Sequence, residues 1–139
     1  MTLDDVRLFL EENHRGVVTT FRRSGAAQMS ILASGLYQES AVFVVSGNTA
    51  KLANLKRDPR CTVLTLRPDW SEYVVVEGDA EIHSWDNTEH EELRLLLRRA
   101  YTACGGGEHP DWDEYDQVMK RDRRAVVMVR PSRVYGLLR

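Results

Sequence analysis

The chain has 139 residues, enough for one compact domain and too few for two of ordinary size. Hydrophobic residues make up 42% of it and the formal net charge is −2, which argues against global disorder, a dedicated nucleic-acid-binding protein and a polybasic membrane-binding protein. No apolar run is long enough to span a bilayer, and the acidic, amphipathic N-terminus is unlike a signal or transit peptide. Cys61 and Cys104 form no C-x-x-C pair, so a reducing cytoplasm is the expected compartment.

The first part of the chain predicts a helix followed by a β-hairpin. Residues 2–13 carry apolar side chains at helical spacing, and residues 16–22 are rich in the β-branched side chains typical of a strand. A glycine-containing turn then leads into a second strand with the sequence AAQMSILAS. Its alternation predicts that Ala27, Met29 and Ile31 form a buried face.

Residues 41–66 are the most informative segment, because they predict a strand, a polar turn, a short helix and a second strand. In the turn, Asn48 or Thr49 can cap a helix of about two turns, which ends before the Asp58-Pro59 pair. The free backbone N–H groups of such a helix start bind phosphate, and Lys51 adds a positive charge at the same end. The alternative interpretation is an ordinary connection whose lysine is solvated.

The second half of the chain predicts further strands and two helices. Gly78 lies in the middle of the longest strand and indicates a bulge or a bend there. Short strands on hairpin spacing with peripheral helices favour an antiparallel barrel or sheet over a doubly wound parallel fold. The expected strands are 61–66, 73–85 and a final strand made of residues 125–129 and 134–138, bent near Pro131. The expected helices are 86–104, before the glycines at 105–107, and one within 108–124.

Residue spacing indicates neither a metal centre nor a nucleophilic triad. His90 lacks the second histidine of an H-E-x-x-H zinc motif. Cys104, Glu108 and His109 are scattered donors beside a glycine run, which is weak support for a zinc site. No G-x-S-x-G segment is present, and no Gly-Lys-Ser/Thr ending makes the glycine run a phosphate loop. We therefore expect no metal and assign no catalytic side chain.

Taken in order, several segments resemble the pyridoxamine 5′-phosphate oxidase-like split β-barrel superfamily. They are GVVTT, QMSIL, VVSGNTAKLANLKRDPRCTVLTL, YVVVEGDAEI and the ending RPSRVYG. The most specific part is Lys51 followed by Asp58-Pro59-Arg60 and a strand, and the next is the V-x-V-x-G pattern at residues 74–78. The resemblance implies a mainly β (α+β) fold over residues 1–139: an FMN-binding-protein-like split barrel of six to seven antiparallel strands with peripheral helices.

In that family two barrels form a dimer, and a flavin or deazaflavin lies in each of two grooves at the subunit interface. The resemblance therefore implies a homodimer in which Lys51 binds the cofactor's phosphate and Thr49 lies nearby. It also implies that the backbone of residues 28–32 faces the ring. The cofactor-binding residues that it implies are Gln28, Met29, Ser30, Ile31, Val45, Ser46, Thr49, Lys51, Asn54, Lys56, Arg57, Arg60, Trp70 and Tyr73.

Departures from the family's oxidase favour the deazaflavin coenzyme F420 over FMN. Ala50 stands where the oxidase has an arginine, and the strand AAQMSILAS has no basic residue where the oxidase has two, so a terminal phosphate dianion meets fewer cations. F420 carries an internal phosphodiester and a glutamate tail, which need several spread positive charges. The segment with Lys51, Lys56, Arg57 and Arg60 can supply them, although a basic helix C-terminus is also favourable without any ligand.

The implied function is hydride transfer between reduced F420 and an unidentified small organic acceptor. Arg133 and Tyr135 in the RVYG ending are the implied substrate-binding residues, and they replace the substrate signature of the oxidase. One alternative is an FMN-binding oxidoreductase of the same fold. Another is a non-catalytic module that holds a flavin or a tetrapyrrole. No nucleic-acid or membrane partner is expected.

Overall fold

The computed structural model describes residues 1–139 as a seven-stranded antiparallel sheet with four α-helices. A π-helical turn, Thr102–Gly106, follows the third helix and is called the π turn below. No helix has the length and apolar character that crossing a membrane requires. The helices are α1 Leu3–Glu12, α2 Ala50–Arg57, α3 His90–Tyr101 and α4 Trp112–Arg121, and the strands are β1 Arg15–Phe21, β2 Ala27–Ala33, β3 Gly35–Tyr37, β4 Ser40–Val45, β5 Arg60–Leu66, β6 Tyr73–His83 and β7 Ala125–Leu137.

The sheet is curled into a half-barrel. Its strand order is β2-β1-β5-β6-β7-β4-β3, and every neighbouring pair is antiparallel. β2 forms one edge and β4 lies beside the opposite edge, yet these two strands contact each other. The curl therefore leaves a cleft between β2 and β4, and the predicted split β-barrel is confirmed.

Two separate apolar cores hold the helices on the sheet. Inside the curl, α1 and α2 pack against fully buried strand residues such as Phe43. On the other side, Leu93 and Leu97 of α3 pack against Val42 and Val126. β4 and the first part of β7 are thus buried on both faces, which explains why AVFVV and AVVMV are apolar without alternation.

A bulge interrupts the pairing of β6 with β7. Glu77 pairs with Arg133 and Gly78 pairs with Pro131, so Ser132 has no partner across the ladder. The Ser132 hydroxyl instead donates a hydrogen bond to the Glu77 carbonyl at 3.0 Å. A Cβ on residue 78 would lie 2.1 Å from the Arg130 carbonyl oxygen, so only glycine fits there. The predicted bulge at Gly78 and the single final strand with an irregularity near Pro131 are confirmed.

The prediction for the buried face of β2 was wrong. Met29 is 66% exposed and Ile31 is 86% exposed, and Ala27 is exposed as well. The register explains the error, because the buried Val18 of β1 lies opposite Ser30. The even-numbered residues of β2, Leu32 among them, consequently face the inside of the curl, and Met29 and Ile31 point to solvent.

The predicted helix over residues 86–104 begins four residues late. Asn87 organises a turn before it, because its side chain accepts from the Ser84 N–H at 2.8 Å and donates to the Ile82 carbonyl at 2.8 Å. Glu89 then caps α3 by accepting hydrogen bonds from the backbone N–H groups of Glu91 and Glu92. The glycine run ends the helix as predicted, since Gly105 takes a positive φ of 92° inside the π turn.

Ion pairs between α3 and α4 stabilise the packing of these two helices beside the second core. Asp116 of α4 accepts from Arg98 Nε at 2.9 Å and from Arg94 Nη1 at 3.0 Å, and its side chain is only 16% exposed. Burial alone would raise the pKa of Asp116, but hydrogen bonds from Arg98 and Arg94 outweigh burial and hold that pKa below its usual value.

We expect Asp116→Asn to lower the free energy of unfolding at pH 7 by about 1.5–3 kcal/mol, the range for hydrogen bonds to charged groups. Because the folded-state pKa is lowered, this contribution is present above the unfolded-state value of about 3.9 and is lost as the pH falls through the folded-state value. Urea unfolding at several pH values measures it: wild type and variant should differ at pH 7 and converge in acid. Asp113→Asn is the control, since Asp113 is 95% exposed and 3.9 Å from Arg98; an equal loss there would contradict the prediction.

Candidate functional site

The turn between β4 and α2, residues 46–49, leads directly into the first turn of α2, whose backbone N–H groups are not capped by a side chain. Thr49 occupies the N-cap position of α2, but its hydroxyl donates to the Ser46 carbonyl at 2.9 Å. The predicted N-cap position of Thr49 is confirmed, but its side chain makes no capping hydrogen bond, because its hydroxyl is bonded to the Ser46 carbonyl instead. The first N–H groups of α2 consequently have no side-chain acceptor.

A polar cavity of about 530 Å³ lies beside this turn and contains cations that sequence reasoning missed. It is lined by Ser46, Gly47 and Asn48 on one side and by residues 121–123 on the other. The Gly47 N–H donates to the Asp122 carbonyl at 3.2 Å, which joins the two chain segments. We call this space the turn cavity.

Arg121 and Arg123 are the cations of the turn cavity, and both lie at its surface. Arg121 Nε lies 3.0 Å from Asp122 Oδ1, and Arg123 Nη2 lies 2.7 Å from Asp86 Oδ1. The only signal for them in the sequence is the basic run KRDRR, which gives no indication that it returns to the β4–α2 turn.

Two of the four basic residues predicted around α2 form no ion pair, and the other two are bound by groups of the same chain. Lys51 is half-buried in the first turn of α2 and Lys56 is exposed in the last, and neither forms an ion pair with this chain. Arg57 donates to the Phe21 carbonyl and to Asn54 Oδ1. Arg60 pairs with Asp58 at 2.7 Å, and its guanidinium lies 4.6 Å from the centroid of the Phe21 ring.

Asn54 and Ser30 are predicted site residues whose polar atoms lie inside the fold. Asn54 is 7% exposed and donates to the Thr20 hydroxyl at 3.1 Å, so its amide joins α2 to β1. The Ser30 hydroxyl is buried and has no hydrogen-bond partner. Gln28 lies on the same strand and its side chain accepts from Arg22 Nε at 3.0 Å, and Val45 is buried at the end of β4.

The outer face of β2, β1, β5 and the adjoining ends of β6 and β7 carries exposed apolar side chains, and no helix covers this part of the sheet; α3 covers only the outer face of β4 and the start of β7. The register places Met29, Ile31, Tyr73 and Tyr135 on this face, which we call the open face. Arg133 is on it too, with its guanidinium 5.0 Å from the centroid of the Tyr135 ring. Trp70, in the turn between β5 and β6, is 82% exposed. Contiguous exposed apolar groups of this kind mark an interaction surface.

A second and larger cavity, of about 650 Å³, fills the cleft between β2 and β4, and we call it the cleft cavity. Leu32 and Ala33 of β2 and Val44 of β4 form its strand side, while α4 and the π turn close the other side. Eight of its eleven lining residues are hydrophobic. Leu32 is the last residue of the predicted ring-facing segment 28–32, and Val44 precedes the predicted site residue Val45, so the cavity overlaps the predicted cofactor site.

Most polar groups around the cleft cavity are already engaged. The Cys104 thiol donates to the Val42 carbonyl at 3.4 Å, and burial raises its pKa to about 12. The Tyr115 hydroxyl donates to the Leu97 carbonyl at 2.8 Å, and burial raises its pKa as well. Neither side chain is therefore ionised at neutral pH. Arg124 differs, because its Nε is buried without a partner. No three His, Cys, Asp or Glu side chains are grouped so as to hold a metal ion.

The chain is thus a split antiparallel half-barrel with a polar turn at the start of α2 and a cleft between β2 and β4. The sequence profile of the pyridoxamine 5′-phosphate oxidase family matches residues 2–138, so the chain belongs to that family.

Solved structures share the fold at low sequence identity. A conserved hypothetical protein of Mycobacterium tuberculosis superimposes with a TM-score of 0.78 at 20% identity, covering 98% of this chain and 84% of the other. An F420 reductase gives a TM-score of 0.68 at 20% identity, covering 93% and 94%. A pyridoxamine 5′-phosphate oxidase-related, FMN-binding protein of Nostoc punctiforme gives 0.66 at 14% identity, covering 96% and 79%.

Proposed function

We propose that the protein is an oxidoreductase that transfers a hydride between reduced coenzyme F420 and a small organic acceptor. The observation that carries this proposal is the spread of positive charge around the β4–α2 turn. Lys51 has no ion-pair partner in its own chain, and Arg121 and Arg123, each paired with one exposed or half-buried carboxylate, line the adjoining turn cavity together with Asp122. Separated cations suit an anionic tail with an internal phosphodiester and carboxylates better than they suit one terminal phosphate. Membership of the oxidase family and the structural likeness to an F420 reductase support the same class.

The residues present fit such a cofactor at both of its ends. The tail would lie along the start of α2, where free N–H groups and Lys51 attract anions. The ring would lie against residues 28–32. Because β2 pairs only with β1, the backbone groups along its other side are unpaired and available to the ring's polar edge.

The bound deazaflavin would supply the hydride, and this chain's residues would bind, orient and shield it. The β2 backbone N–H groups would stabilise negative charge on the ring. The apolar walls of the cleft cavity would exclude water from the neighbouring space. Cys104 and Tyr115, which line the cleft cavity, are both un-ionised at neutral pH. Neither therefore acts as a base there, which agrees with a proton exchanged with solvent.

A homodimer belongs to this proposal, with the open face as its interface. The exposed Met29, Ile31 and Tyr135 side chains would be removed from water by the same face of a second copy. Tyr73, Trp70 and Arg133 lie on or beside that face, so a partner subunit there would bring them close to each groove.

Parallel titration of the cofactor-free protein with F420 and with FMN, followed by ligand fluorescence, tests the proposal. We expect saturable, selective binding of F420. Selective binding of FMN would replace the proposal with an FMN-dependent oxidoreductase, the alternative favoured by the likeness to an FMN-binding relative. Binding of neither cofactor would contradict both functions. Turnover is then measured as oxidation of reduced F420 at its deazaflavin absorbance, with quinones, nitro compounds and enones as trial acceptors.

A further inference from the structure

Asn54 is a buried polar residue of α2 that bonds this helix to β1. We propose that Asn54 is a positioning residue for the anionic end of the cofactor, because its hydrogen bond to Thr20 fixes the start of α2 relative to the hairpin of β1 and β2. The inference rests on the proposed function, in which an anionic tail lies at the start of α2 and a ring lies against residues 28–32. Asn54 acts in it through the helix and does not touch the cofactor.

Both ends of the Asn54 side-chain amide are bound within the chain. Its Nδ2 donates to the Thr20 hydroxyl at 3.1 Å, and its Oδ1 accepts from Arg57 at 3.3 Å. Arg57 also donates to the Phe21 carbonyl, so the amide belongs to one network between α2 and the end of β1. Asn54 is 7% exposed and Thr20 is 0% exposed. Leaving either group unpaired at this depth costs free energy, so the bond holds the two elements in one arrangement.

The apolar contacts of α2 do not fix its position to the same degree. The helix has only eight residues, too few to be stable alone, and Leu52 and Leu55 bury it against the inner core. Apolar burial is non-directional, so it tolerates a small rotation or slide of the helix. A hydrogen bond weakens steeply as its distance and angle change, so the bond from Asn54 to Thr20 selects one position among these.

This position matters because the network joins the two proposed ends of the cofactor site. Lys51 is three residues before Asn54, so the two lie on the same side of the helix, about one turn apart. On the sheet, Thr20 pairs with Gln28 across the ladder, and Gln28 is the first of the predicted ring-facing residues. A shift of α2 on β1 would therefore move Lys51 away from the tail. The ring-facing strand would keep its place, since it is held by its own ladder to β1.

The experiment compares two ligands that differ in their anionic tail. F420 is compared with the same deazaflavin ring and ribityl chain without the phosphate, and fluorescence titration of the cofactor-free protein measures both affinities. Asn54→Leu should weaken F420 binding about tenfold and leave the affinity for the phosphate-free compound unchanged. Thr20→Val removes the other partner of the bond and should give the same selective loss. The double variant should lose no more than either single variant, because all three lack the same bond.

Asn13→Leu is the matched control for the loss of a hydrogen-bonded amide. Asn13 follows the last residue of α1, is half-buried, and donates from its side chain to the Phe9 carbonyl at 3.0 Å. Its replacement should leave both affinities unchanged. Urea midpoints show that each variant is folded, and Thr20→Val, which keeps the shape of the side chain, tests the same bond if Asn54→Leu does not fold.

Equal weakening of both ligands would overturn the inference, because Asn54 would then support the fold as a whole. Unchanged F420 affinity in both variants would overturn it as well. A selective loss in Asn54→Leu without one in Thr20→Val would also overturn it, since Asn54 would then touch the tail itself.

The same comparison with FMN and riboflavin, which differ by one phosphate, separates this inference from the proposed function. A selective loss of FMN binding in both variants would support the role of Asn54 in a protein that does not use F420. Selective F420 binding by the wild type with no selective loss in the variants would overturn the inference and leave the proposed function in place. A wild-type protein that binds neither F420 nor FMN would overturn both.

Discussion

Ile31→Glu is expected to separate the proposed dimer into monomers. Ile31 is 86% exposed in a single chain, so the substitution costs the monomer little, but in a dimer it would bury a charge that has no partner. A symmetric interface contains the substitution twice, and the repulsion and desolvation cost about 4 kcal/mol, roughly a thousandfold in the dissociation constant. Sedimentation velocity at micromolar concentration measures the change.

Cofactor binding should fall in the same variant, because each proposed groove is shared by two subunits. Leu8→Glu is the matched control, since Leu8 is a 65% exposed apolar residue on α1 and lies away from the open face. A wild-type protein that sediments as a monomer would refute the shared grooves. A variant that stays dimeric would place the interface elsewhere on the molecule.

Lys51→Ala is expected to weaken cofactor binding by about 1.5–3 kcal/mol, or roughly 10- to 150-fold, the range for hydrogen bonds to charged groups. Lys51 has no ion-pair partner in the chain, so the urea midpoint should not change. Fluorescence titration with F420 measures the affinity. Lys51→Arg, which keeps the charge at the helix start, should recover most of it.

Lys120→Ala is the control for this loss of charge, because Lys120 is exposed on α4 and lines neither cavity. Equal weakening in Lys51→Ala and Lys120→Ala would indicate a general effect of net charge. Unchanged affinity in Lys51→Ala would mean that the anionic tail lies at another part of the barrel.

The barrel was predictable because its elements have strong local signals. Turn residues end each strand, Asp58-Pro59 ends α2, and Gly78 marks a position where the neighbouring backbone leaves no room for a side chain. The orientation of β2 was not predictable, since alternation shows that a strand has two faces without showing which one is covered. That choice depends on the pairing of Ser30 with Val18 across the ladder.

The candidate site was predictable only where it is local in the sequence. The β4–α2 turn and Lys51 lie within six residues of each other, and the structure places them together. The cations that line the two cavities stand at the end of α4 and just after it, about 70 residues from Lys51 in the sequence: Arg121, Arg123 and Arg124. Only the packing of α4 over the cleft brings them to the cavities. The role of these residues in binding remains a prediction.

The unpaired Ser132 decides where the chain tolerates a change of length. Before the bulge, odd-numbered residues of β7 such as Val127 face the inner core, and after it even-numbered ones such as Val134 do. Deleting one residue here would exchange the two faces of the strand over 125–131 and bring Arg130 into register with the core. A one-residue insertion or deletion in residues 105–111, between α3 and α4, moves no strand. Length variation should therefore be confined to that connection, while the spacing from Ala125 to Val134 stays constant.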